Sequence, residues 1–333
     1  MYTRKKEAQR VVPLIDELEH ALGLQLPPAV RKKAITCHSI FVPMVCDLFT
    51  ALHGRTTTEE EKNSIFYYFI CSGLFDDFAD DKTLTAAQLR EIMLHPASYQ
   101  CNTPEEKIFV YTGLRLNSVV RNKASYEQVL KQLLTAQLDS GKQFDPAISN
   151  SELEEITFSK GGNSLQLVYY YLNIPTTAEE RHCWFLLGAI IQLTNDLYDI
   201  YKDLQAGIQT LPNRMKSAID FQQYFNSVVS KLENHLHKLP YKHKRKHAFH
   251  LGLASICSFG NTALEHLIEL QAASDKLPAL HTLPRKSLII DMEKPRNIWR
   301  CMKYSYLRTS YALQETKPIV LPVQNLSYEE HVA

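Results

Sequence analysis

Asp76-Asp77-Phe78-Ala79-Asp80-Asp81 follows directly on the run Ile65-Phe66-Tyr67-Tyr68-Phe69-Ile70-Cys71-Ser72-Gly73-Leu74-Phe75. A mostly apolar segment thus ends in four carboxylates within six residues. On a helix Asp76 and Asp80 are i,i+4 neighbours, and Asp77 and Asp80 are i,i+3 neighbours. Like charges at these spacings repel by about 0.2–0.5 kcal/mol per pair. Burying one of them unpaired would cost far more. A divalent cation relieves both problems, and hard cations such as magnesium take oxygen ligands. The plain alternative is an exposed helix end carrying an acidic turn.

The rest of the chain frames that stretch with helices. It has 333 residues, enough for a large core. Only 11 glycines and 15 prolines leave little material for many tight turns. A formal net charge of +1 gives no reason to expect nucleic-acid or bulk membrane binding. The seven cysteines are scattered and show no metal-ligand spacing, so they read as reduced thiols of a cytoplasmic protein. The runs near 64–75 and 183–193 are too short to span a bilayer.

Helical periodicity covers nearly every segment. It predicts helices over 6–23, 28–53 with a break near Pro43, and 59–81. Thr57-Thr58 caps the last of these, and Glu59-Glu60-Glu61 follows as its first turn. Further helices are expected over 85–95, 103–121, 125–143, 149–173 with an interruption at Gly161-Gly162, 178–204, 214–237, 246–274 and 296–314. A less regular stretch covers 275–295. No strand alternation, repeat or linker is visible, so the expectation is one all-α domain over 1–333. No linker supports a split near 145.

A second acidic row lies in the helix predicted over 178–204, in Gln192-Leu193-Thr194-Asn195-Asp196-Leu197-Tyr198-Asp199-Ile200-Tyr201-Lys202-Asp203. Asn195, Asp199 and Asp203 fall at i, i+4 and i+8, one row of oxygen ligands on one face. Trp184, Gly188 and Ile191 continue that face upstream. Two such helices facing each other would make a pocket with an apolar floor and a cation-binding rim. A polar face on a surface helix is the plain alternative, and finding the construction twice weakens it.

Asp76-Asp77-x-x-Asp80 resembles the aspartate-rich DDxxD motif of class I terpenoid synthases. Asn195-Asp196-x-x-Asp199-x-x-x-Asp203 resembles their second metal motif, (N/D)Dxx(S/T)xxxE. Asp199 stands where the family has Ser or Thr, and Asp203 stands where it has Glu; both keep an oxygen. Gln192, and Gly207-Ile208-Gln209-Thr210-Leu211-Pro212 after the motif, resemble the related trans-prenyltransferases. Asn195 follows Asp76 by 119 residues.

The resemblance implies a single helical bundle with a central cavity open at one end. It implies a prenyl diphosphate substrate and a magnesium cluster, usually of three ions. Asp76 and Asp80 would hold two ions, and Asn195, Asp199 and Asp203 the third, with Asp77 completing the first motif. Lys160, beside the Gly161-Gly162 interruption, corresponds to a basic residue that senses diphosphate in the family. It lies closer to Asn195 than the family's usual arginine. Arg300, Lys303 and Tyr304 near the C-terminus correspond to an Arg-Tyr pair that closes on diphosphate. For each of these a surface or kink residue without a role is the alternative. A homodimer is compatible with the resemblance, and stable membrane insertion is not expected.

The candidate pocket lining is Phe69, Ser72, Gly73 and Phe75 on one helix, with Trp184, Gly188 and Ile191 on the other and Trp299 near the end. Ring faces attract a positive charge, although most aromatics at helical spacing are core. Lys242-His243-Lys244-Arg245-Lys246-His247 reads as a solvated loop.

Three functions remain. The first is a terpene cyclase acting on a single C15 or C20 diphosphate. The second is a chain-elongating prenyltransferase of the same fold. Elongating enzymes usually carry Arg-Arg soon after the first motif and Gly-Lys-Arg near the N-terminus, and this chain has neither. The third is a non-catalytic helical interaction protein with two acidic patches.

Overall fold

The computed structural model describes residues 2–175, 177–272 and 276–313. Among these all regular structure is helical. The expected helix ends at 273–274 and at 314, and the remainder of the domain to 333, lie outside the described residues.

The predicted helix over 6–23 is two helices, α1 (Tyr2–Arg10) and α2 (Val12–Leu22), because Pro13 sits in the first turn of the second. The next region does not break at Pro43. After α3 (Pro28–Phe41) the backbone widens into a π-helical turn, Val42–Cys46, and resumes as α4 (Asp47–Leu52). A wider turn accommodates a proline that cannot donate a backbone hydrogen bond. By length and composition alone Pro28–Leu52 is apolar enough to cross a membrane, which the shorter runs did not suggest. Here Val30, Ala34, Val45, Phe49 and Leu52 are buried in the core.

The helix α5 (Glu59–Asp80) opens with a capping box: the Thr58 side chain accepts from the Glu61 N–H, and Glu61 accepts from the Thr58 N–H. Ser64 to Cys71 are all buried, so this helix is enclosed on every side. It runs antiparallel to α3. Lys33 meets Asp76 at one end, and Phe41 meets Phe69 farther along. Then follow α6 (Ala86–Leu94), capped by Thr85, α7 (Pro104–Val119), capped by Thr103, and α8 (Lys123–Asp139).

The helix α9 (Asn150–Tyr170) is continuous through Gly161-Gly162. The glycines serve a close crossing with α10 (Ala178–Tyr198) instead. A Cβ on Gly188 would lie 2.2 Å from the Gly161 carbonyl oxygen, and one on Gly162 would lie 2.4 Å from the Phe185 ring. No side chain fits there. The predicted helix over 178–204 divides at Asp199, where φ is −95° and ψ is 5°, and α11 (Ile200–Ala206) follows. Gly207, at φ 71°, ends α11 in the left-handed conformation that glycine adopts without strain.

The chain closes with α12 (Ala218–Lys238), α13 (His243–Ala272), α14 (Arg285–Leu288) and α15 (Pro295–Leu313). The basic run Lys242–His247 is therefore not a loop: from His243 it is the start of α13. Arg245 donates to the Leu52 carbonyl, and Lys246 to those of His237 and Leu239. These contacts offset the cost of cations at a helix N-terminus. One apolar cluster extends from Val11 to Ile290.

Candidate functional site

Two helix C-termini frame the site. The helix α5 ends in Asp76, Asp77 and Asp80, and α10 ends in Asn195, Asp196 and, at its cap, Asp199. A helix C-terminus carries a partial negative charge from its unpaired carbonyls. Carboxylates there are disfavoured by about 0.3–1 kcal/mol each at the surface. Neither last turn contains a basic residue. The first row and Asp196 thus stand where the backbone already repels them, and a cation would relieve the two effects together; Asp199 and Asp203 instead lie at the N-cap and in the first turn of α11.

In the first row Asp76 is half-buried and Asp77 and Asp80 are exposed. Asp76 Oδ2 pairs with Lys33 Nζ at 2.8 Å. Burial draws the Lys33 ammonium down, but the charge and hydrogen bond of Asp76, with Asp77 beyond it, outweigh burial and hold it above the usual lysine range. Asp77 is pushed up by burial. Lys33 opposes this, while Asp76, Asp81 and Asp80 add to it. Gln137 Nε2 reaches Asp80 at 3.4 Å.

In the second row Asn195 and Asp199 are exposed, while Asp196 and Asp203 are buried. Gln192 donates to Asp196 at 2.8 Å. Burial pushes Asp196 up to about 7. The Gln192 hydrogen bond opposes it, Asp203 and Asp199 add to it, and Lys160 opposes it. Asp203 is pushed up to about 6 by burial and then by Asp199, against Lys202 and Lys160. Lys160 on α9 thus faces the second row from across the mouth.

Two adjoining cavities open beneath the rows. One of about 130 Å³ lies between α5, α7, α8 and α9, with Asp76, Lys160, Gln137 and Gln192 in its polar lining. The other, of about 190 Å³, lies between α3, α5, α9 and α10, with Lys33 and Asn195 in its lining. Tyr68, Ser72, Ser164 and Gln192 belong to both. At the far end of the first cavity the hydroxyls of Tyr126 and Tyr171 meet at 2.8 Å, and Tyr68 donates to the Ser164 carbonyl at 2.8 Å. Burial pushes all three phenols well up, so they stay neutral. A larger depression of about 1060 Å³ lies between α8, α9 and α10, but it is open and polar and contains neither acidic row.

The residues predicted from sequence divide cleanly. Phe69, Ser72, Gly188 and Ile191 line the 190 Å³ cavity, and Ser72, Phe75, Asp76 and Lys160 line the 130 Å³ one. Gly73 faces away from both, toward Val30 and the stem of Lys33. Trp184 is not at the cavities. It is fully buried and stacked on Phe49 with ring centroids 3.6 Å apart, while Phe249 packs on the other edge of Phe49. Burying such rings is worth about 1.5–3 kcal/mol apiece, so core packing accounts for it. Trp299 is 62% exposed on α15.

Arg300, Lys303 and Tyr304 are engaged elsewhere. Arg300 is 3% exposed and pairs with Glu265 and Glu269 of α13, and Lys303 lies 3.7 Å from Glu265. Burial, with Glu265 next to it, holds the Tyr304 phenol up to about 12. The sequence did not single out Lys33 or the three tyrosines, and assigned no role to Asp196. Lys33 was one of three consecutive cations, Arg31-Lys32-Lys33, and only its place on α3 distinguishes it.

Oxygen donors at two helix C-termini fit magnesium. Among the described residues no three carboxylate, histidine or cysteine groups converge as a closed ligand shell. Magnesium is commonly held by one or two carboxylates together with substrate phosphates and water. Asp76 and Asp80, with Asn195, Asp199 and Asp203, supply oxygen donors of that kind. No protein-family model matches the chain, and no curated protein does.

Proposed function

We propose that this chain is a class I terpene synthase, acting on a linear prenyl diphosphate of C15 or C20. The observation that carries the reading is that Asp76, at the end of α5, and Asn195, at the end of α10, line two adjoining cavities that share Tyr68, Ser72, Ser164 and Gln192. Asp76 and Asp80 would hold magnesium on one side, and Asn195, Asp199 and Asp203 on the other. Magnesium, when bound there, draws charge from a leaving diphosphate. Lys160, whose charge acts on Asp196 and Asp203, would neutralise a diphosphate oxygen. Phe75, Phe109 and the faces of Tyr68, Tyr126 and Tyr171 enclose the apolar chain, exclude water and present π-faces to a carbocation. The buried phenols, being neutral, offer no anion to trap that cation.

A prenyltransferase of the same fold is the second reading. Lys33, a cation beside the first row, is the observation that favours it, since a second diphosphate needs a second counter-charge. Seven free cysteines suit a cytoplasmic setting for either enzyme. A thermal-shift titration tests the common ground. Magnesium plus pyrophosphate should raise the melting temperature in a saturable way, and neither alone should match it. A helical interaction protein with incidental acidic patches would show no such synergy.

A further inference from the structure

Lys33 occupies a singular position. Its ammonium lies 2.8 Å from Asp76, and it also belongs to the lining of the cavity that contains Asn195. Both partners of the pair are partly open to solvent, at 46% and 36%. The lysine stem runs past Gly73, where even a Cβ would find Lys33 Cδ no nearer than 3.7 Å. The side chain therefore has room to swing, and a lysine is a point charge on a flexible four-carbon stem. An ammonium and a divalent ion compete for the same carboxylate oxygen. An exposed pair of this kind is weak enough to be displaced.

We infer that Lys33 is a displaceable counter-ion: it holds Asp76 when magnesium is absent, and turns to a diphosphate oxygen once magnesium takes its place. This rests on the reading of the site as a magnesium–diphosphate site. It assigns one residue two opposite effects, competition with the metal and cooperation with the anion. A purely structural ion pair would compete with the metal but would not aid the anion.

The test compares wild type, Lys33→Met and Lys33→Arg by calorimetric titration, first with magnesium chloride alone and then with pyrophosphate at saturating magnesium. Lys33→Met should bind magnesium about two- to fivefold more tightly, since a competing exposed pair is gone. The same variant should bind pyrophosphate about tenfold more weakly, having lost a charge-assisted hydrogen bond. Lys33→Arg should retain pyrophosphate binding and need more magnesium, because a guanidinium grips a carboxylate with two parallel bonds. Circular dichroism confirms that the variants are folded. If wild type binds magnesium pyrophosphate but Lys33→Met moves both affinities the same way, or neither, the inference is overturned while the site reading stands. If wild type itself binds none, both fall.

Discussion

Asp196 offers a sharp physical test, because it is a carboxylate only 8% exposed with its charge opposed by its surroundings. The folded chain holds its titration up to about 7, while an unfolded aspartate titrates near 3.9. Between those values the folded state keeps a proton that the unfolded state has released. Stability must therefore fall as pH rises through this window. The effect is absent below about pH 4 and complete above about pH 7. Roughly three pKa units at 1.36 kcal/mol each set a ceiling of about 4 kcal/mol. Asp196→Asn keeps the shape and an oxygen for the Gln192 amide, and removes the charge. Urea unfolding in EDTA at pH 5, 6, 7 and 8 should show the variant more stable than wild type by about 1–4 kcal/mol at pH 8, with the gap closing toward pH 5. Asp203, held up to about 6, adds a slope of its own, shallower in the variant because the Asp196 charge that interacts with it is gone. A gap of the same size at pH 5 and pH 8 would refute the claim that Asp196 is a proton-holding carboxylate.

Other outcomes are equally direct. Asp76→Asn should cut turnover by orders of magnitude with the far-ultraviolet dichroism unchanged, whereas Asp81→Asn, outside the motif spacing, should be tolerated; steady-state kinetics on the two decides. Asn195→Ala and Asp199→Ala should each raise the magnesium requirement and lower activity together, and full activity in Asp199→Ala would reduce the second row to a polar surface. Gly188→Ala would put a Cβ 2.2 Å from the Gly161 oxygen. It should cost about 1–3 kcal/mol or more in chemical denaturation, and an unchanged midpoint would contradict the close crossing of α9 and α10.

What the sequence made legible was local. Thr58 was readable as a cap because a cap is a contact three residues long, and it accepts the expected backbone hydrogen bond, as Thr85, Thr103 and Thr177 do at their own helices. The helical class followed from periodicity over long segments. What depended on neighbours was misread or missed. Gly161-Gly162 looked like a break because glycine weakens an isolated helix, but the decisive contact is Gly188 on another helix. Trp184 shares a face with Asn195 in sequence, yet Phe49 claims it. Arg300 and Lys303 looked available to an anion until Glu265 and Glu269 of α13 appeared beside them. Lys33 could not be told from Arg31 and Lys32 without knowing that α3 lies antiparallel to α5. The acidic rows were legible as spacing. The division at Asp199, which leaves Asp199 exposed and Asp203 buried, was not.

The central claim is that the two rows ionise one prenyl diphosphate above a cavity that folds its chain. The direct measurement supplies purified protein and magnesium with a single C15 or C20 diphosphate, and follows pyrophosphate release together with the hexane-extractable products. The account predicts stoichiometric pyrophosphate and a cyclic hydrocarbon or alcohol, with no need for isopentenyl diphosphate. Product that forms only when isopentenyl diphosphate is added, and that is a longer linear diphosphate, would contradict the cyclase assignment in favour of the prenyltransferase. No pyrophosphate under either condition would contradict both.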